Sequence, residues 1–325
     1  MKRKSLIAAA ALAVISWASA SAQTIKTEDL YIRDPFIVTD EAHGIYYLYR
    51  SASANVFDTA GEVVGGVEVF KSRDLKNWEG PKRVLTIPED NWITGTIWAP
   101  EVHRYKGRYY IFATINTGLE WKRSADGEPR NSFRGTQVFW SKSPEGPFKA
   151  FGHEPYTPMD QMCLDGTLWV ENGQPYMIYC HEWVEVMDGE MVLQPLKKDL
   201  SAPDGKPLRL FCASVAPWVG ESRTYVTDGP FIYKTKTGKL LMIWSSFTAE
   251  GDYAIGIAES TTGRIQGPWK QQEKPLFTKD GGHGMIFRSL EGKLYAVLHS
   301  PNGGGLERAH FFEIEDTGDS LRLME

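Results

Sequence analysis

Five times along this chain a short apolar run opens behind an acidic, histidine or small residue. Each time a glycine and a second strand-like run answer it a few residues later. Asp34-Pro-Phe-Ile-Val leads to Gly44-Ile-Tyr-Tyr-Leu-Tyr, and Ala99-Pro-Glu-Val-His leads to Gly107-Arg-Tyr-Tyr-Ile-Phe. Asp165-Gly-Thr-Leu-Trp precedes Gly173-Gln-Pro-Tyr-Met-Ile-Tyr, and Asp228-Gly-Pro-Phe-Ile precedes Gly238-Lys-Leu-Leu-Met-Ile-Trp. His283-Gly-Met-Ile-Phe precedes Gly292-Lys-Leu-Tyr-Ala-Val-Leu. Starts about 60 residues apart mark radially repeated sheets, and they predict an all-β chain folded as a five-bladed propeller. The innermost strand of a propeller blade lines the central channel. The repeat phase therefore predicts one column of residues at a channel mouth: Asp34, Ala99, Asp165, Asp228 and His283. Three carboxylates and an imidazole meeting at one point suit acid/base chemistry.

Each repeat continues with a third alternating run, such as Gly66-Val-Glu-Val-Phe, Met191-Val-Leu-Gln and Tyr253-Ala-Ile-Gly-Ile-Ala. Alternation among β-branched and aromatic residues, punctuated by Gly, is the strand signal. Turns containing Trp78, Phe148 and Trp269 follow three of these runs, and they predict a fourth, outer strand with an aromatic packed between blades. The expectation is four antiparallel strands per blade. Three polar, irregular insertions at 51–65, 116–134 and 209–226 are expected to rim the channel mouth, because long loops in compact β domains commonly carry function.

The N-terminus reads as a leader. Lys2, Arg3 and Lys4 precede an apolar stretch from Leu6 to Ile15, and small residues at Ala18, Ala20 and Ala22 fit a cleavage site. Residues 1–22 are thus expected to be a signal peptide, and 23–325 a single propeller domain that is periplasmic or secreted. The apolar stretch is far short of the roughly 20 residues of a membrane span, and no Cys near the cleavage point offers a lipid anchor. A net charge of −5 without a basic, aromatic-rich patch argues against a nucleic-acid partner. The three cysteines, Cys163, Cys180 and Cys212, lack metal-type spacing, and after export two of them have the option of a disulfide.

Any one of these aspartates, before Pro or Gly, is an ordinary turn-former. Their shared phase in the repeat is what points to catalysis. Arg33-Asp-Pro-Phe, Trp98-Ala-Pro-Glu, Leu164-Asp-Gly-Thr and Gly282-His-Gly, in this order and spacing, resemble glycoside hydrolase family 43 over essentially the whole mature chain. The resemblance implies a five-bladed propeller that cleaves arabinose-, xylose- or galactose-containing glycans with inversion. It implies Asp34 as the general base that activates water, Asp165 as the residue tuning the acid's pKa, and Asp228 as the general acid. At Asp228 the chain departs from the family, which has Glu before that Gly-Pro. The shorter side chain withdraws the carboxyl by roughly 1.5 Å, where catalytic placement tolerates about 0.5 Å. Glu101, Glu182 and Glu221 are alternative proton donors.

The trio has a physical logic of its own. Inverting hydrolysis needs one ionised carboxylate to deprotonate water and one neutral carboxyl to protonate the leaving oxygen, about 6.5–9.5 Å apart. A third carboxylate separates their pKa values by like-charge repulsion. Around them, Trp98, Phe36, Arg288 and His283 are candidate substrate contacts: two rings to stack on a sugar, a guanidinium to fork onto hydroxyls, and an imidazole at the mouth. The resemblance also implies that His283 supports a calcium ion in the central channel through water, while no cofactor is required. The leading reading is an exo-acting glycosidase that removes terminal arabinofuranosyl units, less favourably xylosyl or galactosyl units, from plant glycans. The alternatives are a propeller that binds glycans without cutting them and a five-bladed fructan hydrolase. The latter class carries Asn-Asp-Pro and Glu-Cys elements, whereas this chain has Arg before Asp34 and no Glu-Cys.

Overall fold

The computed structural model describes residues 24–52, 64–122, 131–220 and 225–324. The leader, residues 1–22, and the alternative donor Glu221 lie outside the described residues. Five antiparallel sheets form the blades, and within each the strands run outward in chain order. The innermost strands are Phe36–Asp40, Thr96–Tyr105, Cys163–Glu171, Asp228–Lys234 and Gly282–Arg288, which define blades 1 to 5. Each packs against the next, and the last against the first, so the ring closes. Blade 1 gains a fifth, outermost strand, Thr24–Lys26, paired with Asn77–Thr86. From there the chain runs inward between blades 5 and 1, where the Ile32 N–H donates to the Glu307 carbonyl at 3.2 Å and Tyr31 bridges to Arg308. This crossing delivers Asp34 to the mouth.

The cores lie between neighbouring blades, and the turn aromatics Trp78, Phe148 and Trp269 are buried there as expected. At the centre, Phe36 meets the His103 ring at 5.1 Å and the Phe231 ring at 6.2 Å. Phe36 is 5% exposed, so it fills the channel beneath the mouth and is no sugar contact. Arg288 ends the blade 5 inner strand as an exposed residue bonded to the Gly292 carbonyl, away from the cavity at the mouth. Both corrections have one cause. Along an inner strand only the first residues reach the mouth, and later positions either fill the channel, like Phe36, or lead away from the mouth, like Arg288.

The repeat column itself needs one correction. Asp34, Ala99, Asp165, Gly229 and His283 all adopt left-handed backbone, with φ of 50°, 42°, 56°, 50° and 47°. In blades 2 to 5 the ladder pairs Trp98, Leu164, Asp228 and Gly282, skips two residues, and resumes at Glu101, Thr167, Phe231 and Met285. A bulge of this kind re-aims a side chain at a sheet end. Asp and His tolerate the left-handed region better than most residues, and Gly does so freely. The blade 4 member of the column is therefore Gly229, and Asp228 stands one residue earlier, equivalent to Arg33, Trp98, Leu164 and Gly282.

Of the three expected insertions, residues 53–63, 123–130 and 221–224 lie outside the described residues. Ser51 and Ala52 line the cavity at the mouth, and Asn116 and Arg134, on the paired strands Arg108–Lys122 and Asn131–Ser141, meet beside Trp98. The described start of the third lies further out. Leu208–Cys212 is the outer strand of blade 3, and Trp218 beyond it packs on Trp244 at 4.9 Å in the blade 4 core. All three cysteines are free thiols, so no disulfide forms among them.

Candidate active site

A cavity of about 460 Å³ opens at the mouth, and Asp34, Trp98, Asp165, Asp228 and His283 all line it. The left-handed starts of blades 1, 3 and 5 bring three of these groups together. His283 Nδ1 lies 3.4 Å from Asp34 Oδ1 and 3.7 Å from Asp165 Oδ2, so those two oxygens are at most about 7 Å apart and share one small cluster. The Gly229 N–H donates to Asp165 Oδ2 at 3.1 Å, which ties the blade 4 start, and Asp228 with it, to the same cluster. The Asp165 N–H is held by Thr114 Oγ1 and the His283 N–H by Ser245 Oγ, each at 2.8 Å.

The environments of the three carboxyls differ. Burial works to raise the Asp34 pKa, but His283, and Arg33 after it, pull the other way and the group is held below the usual carboxylate range. His299 Nδ1 is 3.2 Å from both the Asp34 backbone nitrogen and Asp34 Oδ1. One ring nitrogen serves only one of them. Nε2 faces Asn302 Oδ1 at 3.2 Å and so carries the hydrogen, which makes Nδ1 an acceptor from the backbone N–H. Asp34 Oδ1 is thus buried with no hydrogen bond from the described residues. Asp165 behaves oppositely: burial, then the charges of Asp228 and Asp34, push it well above the usual range. Asp228 is also raised by burial, against the pull of His283 and of the Tyr253 hydroxyl, which donates to its Oδ2 at 2.9 Å. One carboxyl held ionised beside two pushed toward the neutral form is the separation that acid/base work requires.

The wall between blades 2 and 4 holds a second set of groups. Trp98 is 38% exposed, with the Arg134 guanidinium 4.4 Å over its ring. Arg134 also donates to Asn116 Oδ1 at 2.8 Å and pairs with the carboxylate of Glu182, which lines the cavity beside Trp183. Glu101, by contrast, sits below the mouth, buried and bonded to His103 Nε2 at 2.8 Å. Tyr253 and His299 were not singled out by the sequence. They arrive from third and second strands, where no repeat marks them, although His299 stands opposite Gly282 across the blade 5 ladder.

The channel offers a poor cage for calcium, which takes 6–8 oxygen ligands. Below His283 the described residues supply Phe36, Phe231 and Met285, and the Glu101 carboxylate beneath the mouth already has His103 as its partner. Among the described residues no group of three or more His, Cys, Asp or Glu is arranged to hold a metal. The side chains present do not fit that ion, and no step below is routed through one.

This architecture has known counterparts. The solved endo-arabinase of Bacteroides thetaiotaomicron VPI-5482 superposes with a TM-score of 0.77 at 39% identity, covering 90% of this chain and 96% of that one. Among curated proteins, alpha-L-arabinofuranosidase 43 of Humicola insolens is 22% identical over 65% of this chain and 44% of its own length. A probable arabinan endo-1,5-alpha-L-arabinosidase D of Emericella nidulans is 25% identical over 83% of this chain and 70% of its own. The chain thus spans less than half of the first of these curated relatives and about two thirds of the second. The family model of glycosyl hydrolases family 43 matches residues 29–314, so this five-bladed propeller belongs to that family.

Proposed function

We propose that this chain hydrolyses α-L-arabinofuranosyl linkages of plant cell-wall glycans with inversion at the anomeric carbon, releasing terminal units; xylosyl and galactosyl units are the less favoured substrates. The observation that carries the reading is the carboxylate oxygen that Asp34 presents on the cavity wall, kept ionised by His283 and Arg33. Such an oxygen is prepared to take a proton from a water attacking the sugar. A neutral carboxyl across the cavity must protonate the leaving oxygen. By chain position that donor is Asp228, with Asp165 beside it, and Glu182 faces the same space. Trp98 offers an exposed ring face for a sugar to stack on.

Terminal action is supported by Ser51 and Ala52 on the cavity wall and by Asn116 and Arg134 beside Trp98, the described parts of two expected insertions. Internal cleavage is the second reading, favoured by the 39% identity to an endo-arabinase and by the outer-strand position of Leu208–Cys212 in blade 3. The basic and apolar leader supports export to the periplasm or beyond. Incubation with arabinan, arabinoxylan and arabinogalactan, read by chromatography, tests the proposal. Arabinose alone supports terminal release, and a ladder of oligosaccharides supports internal cleavage. Binding without product would overturn both in favour of a glycan-binding propeller.

A further inference from the structure

Asp228 is badly placed for the distance a proton donor has to cover. Its carboxyl is withdrawn by roughly 1.5 Å relative to Glu, and the Tyr253 hydroxyl holds its Oδ2. Glu182 has the longer side chain and enters from another element. It follows the second strand of blade 3, Gln174–His181, and its N–H donates to the Met162 carbonyl at 2.8 Å, which fixes the turn at the cavity wall. It lines the cavity with Leu164, Trp183 and Asp228. In a ring of five blades the direction opposite blade 1 falls between blades 3 and 4, which puts Glu182, like Asp228, on the side of the cavity away from blade 1. Inverting displacement requires the donor on the face of the sugar opposite the base.

We infer that Glu182, rather than Asp228, delivers the proton to the leaving glycosidic oxygen, and that Asp228 is a positioning residue acting on Glu182 through its charge. The inference rests on the hydrolase reading above and changes only the donor. Asp34 takes a proton from water as the water oxygen bonds to the anomeric carbon. The glycosidic C–O bond breaks with its electron pair on the leaving oxygen, which receives the Glu182 proton. Asp34 then loses its proton to solvent, and Glu182 regains one. The groups facing Glu182 are Arg134, Asp228 and Glu185, with the Cys163 thiol behind. Burial, the largest influence, pushes Glu182 up to about 7; Arg134 pulls it down, and Asp228 and Glu185 push it further up. A carboxyl titrating near neutrality is suited to general acid work.

The test compares Glu182→Gln and Asp228→Asn on a linear arabino-oligosaccharide and on 4-nitrophenyl α-L-arabinofuranoside, whose phenol departs without a proton. Glu182→Gln is expected to lose at least about a hundredfold on the oligosaccharide, less than about tenfold on the aryl glycoside, and the alkaline limb of its pH–rate profile. Asp228→Asn is expected to lose by a similar factor on both substrates while keeping a displaced alkaline limb. The reverse pattern, with the leaving-group-dependent loss in Asp228→Asn, would overturn the inference and return the donor to Asp228. Leaving-group-dependent loss in both variants would overturn it as well. Glu182→Asp, measured with the melting temperature, gives the same comparison should the Gln variant fold poorly. A wild-type protein inactive on both substrates fails the hydrolase reading itself, a result distinct from either pattern.

Discussion

Arg134 is the handle by which the proton donor can be moved without touching it. Its guanidinium pairs with Glu182, donates to Asn116 and covers the Trp98 ring. Arg134→Met keeps an apolar stem over Trp98 and removes the charge that lowers the Glu182 pKa. Loss of a close opposite charge lets a carboxyl rise by about 1–3 units, and each unit is worth about 1.4 kcal/mol. The sign follows from Glu182 already lying at about 7, above its unfolded value of 4.5. A raised carboxyl leaves stability intact below the unfolded pKa and removes it as pH climbs through the folded one. In the wild type that loss falls between pH 4.5 and 7 and amounts to about 3 kcal/mol. In the variant the window extends upward, so a further ~1.4–4 kcal/mol is lost by alkaline pH from this group and nothing more at pH 4. Denaturation at pH 4 and pH 9 reads the stability, and the kcat/KM profile on arabino-oligosaccharide should show its alkaline limb displaced upward by at least one unit. An alkaline limb that coincides with that of the wild type, with the same stability difference at both pH values, would refute the assignment of Glu182 as donor and the electrostatics behind it.

Two further substitutions separate structure from chemistry. Phe36→Ala should destabilise the protein by about 3–5 kcal/mol, as expected for a buried aromatic ring, and leave KM on arabino-oligosaccharide unchanged in the protein that remains folded; a selective rise in KM with an intact melting curve would restore Phe36 as a sugar contact. Arg33→Met removes one of the charges that hold Asp34 ionised, so the acidic limb of the pH–rate profile should move to higher pH, and an unmoved limb would show that His283 suffices.

The propeller was legible because each blade repeats two independent patterns: period-2 alternation and glycine punctuation. The mouth was legible because the bulged inner strands accept Asp, His or Gly at their left-handed starts, residue types that stand out against apolar runs. Blade 4 was read one residue out of phase, since Asp228-Gly-Pro-Phe offers two starts. Gly229-Pro-Phe-Ile is the segment that matches Asp34-Pro-Phe-Ile, and only the shared positive φ of Gly229 and Asp34 decides between them. Phe36 and Arg288 misled because alternation gives the face of a strand but not its depth below the mouth. Arg134, Tyr253 and His299 were not foreseen, and Glu182 was only one of three alternatives. Tyr253 and Glu182 line the cavity while Arg134 and His299 hold its lining residues, and all four come from later strands and a turn, where position depends on the sheet ladder and no sequence period records it.

The claim on which everything else rests is that Asp34 activates the water that attacks the sugar. Asp34→Ala opens space for a small anion at that point, so the decisive measurement is turnover of 4-nitrophenyl α-L-arabinofuranoside by this variant with and without sodium azide, followed by the configuration of the product. Turnover without azide should fall by at least about a hundredfold. Azide should restore phenol release and yield the glycosyl azide of inverted, β configuration, because the anion enters on the face from which water is normally delivered. An azide product of retained configuration, or a variant that keeps near wild-type turnover without azide, would contradict the account.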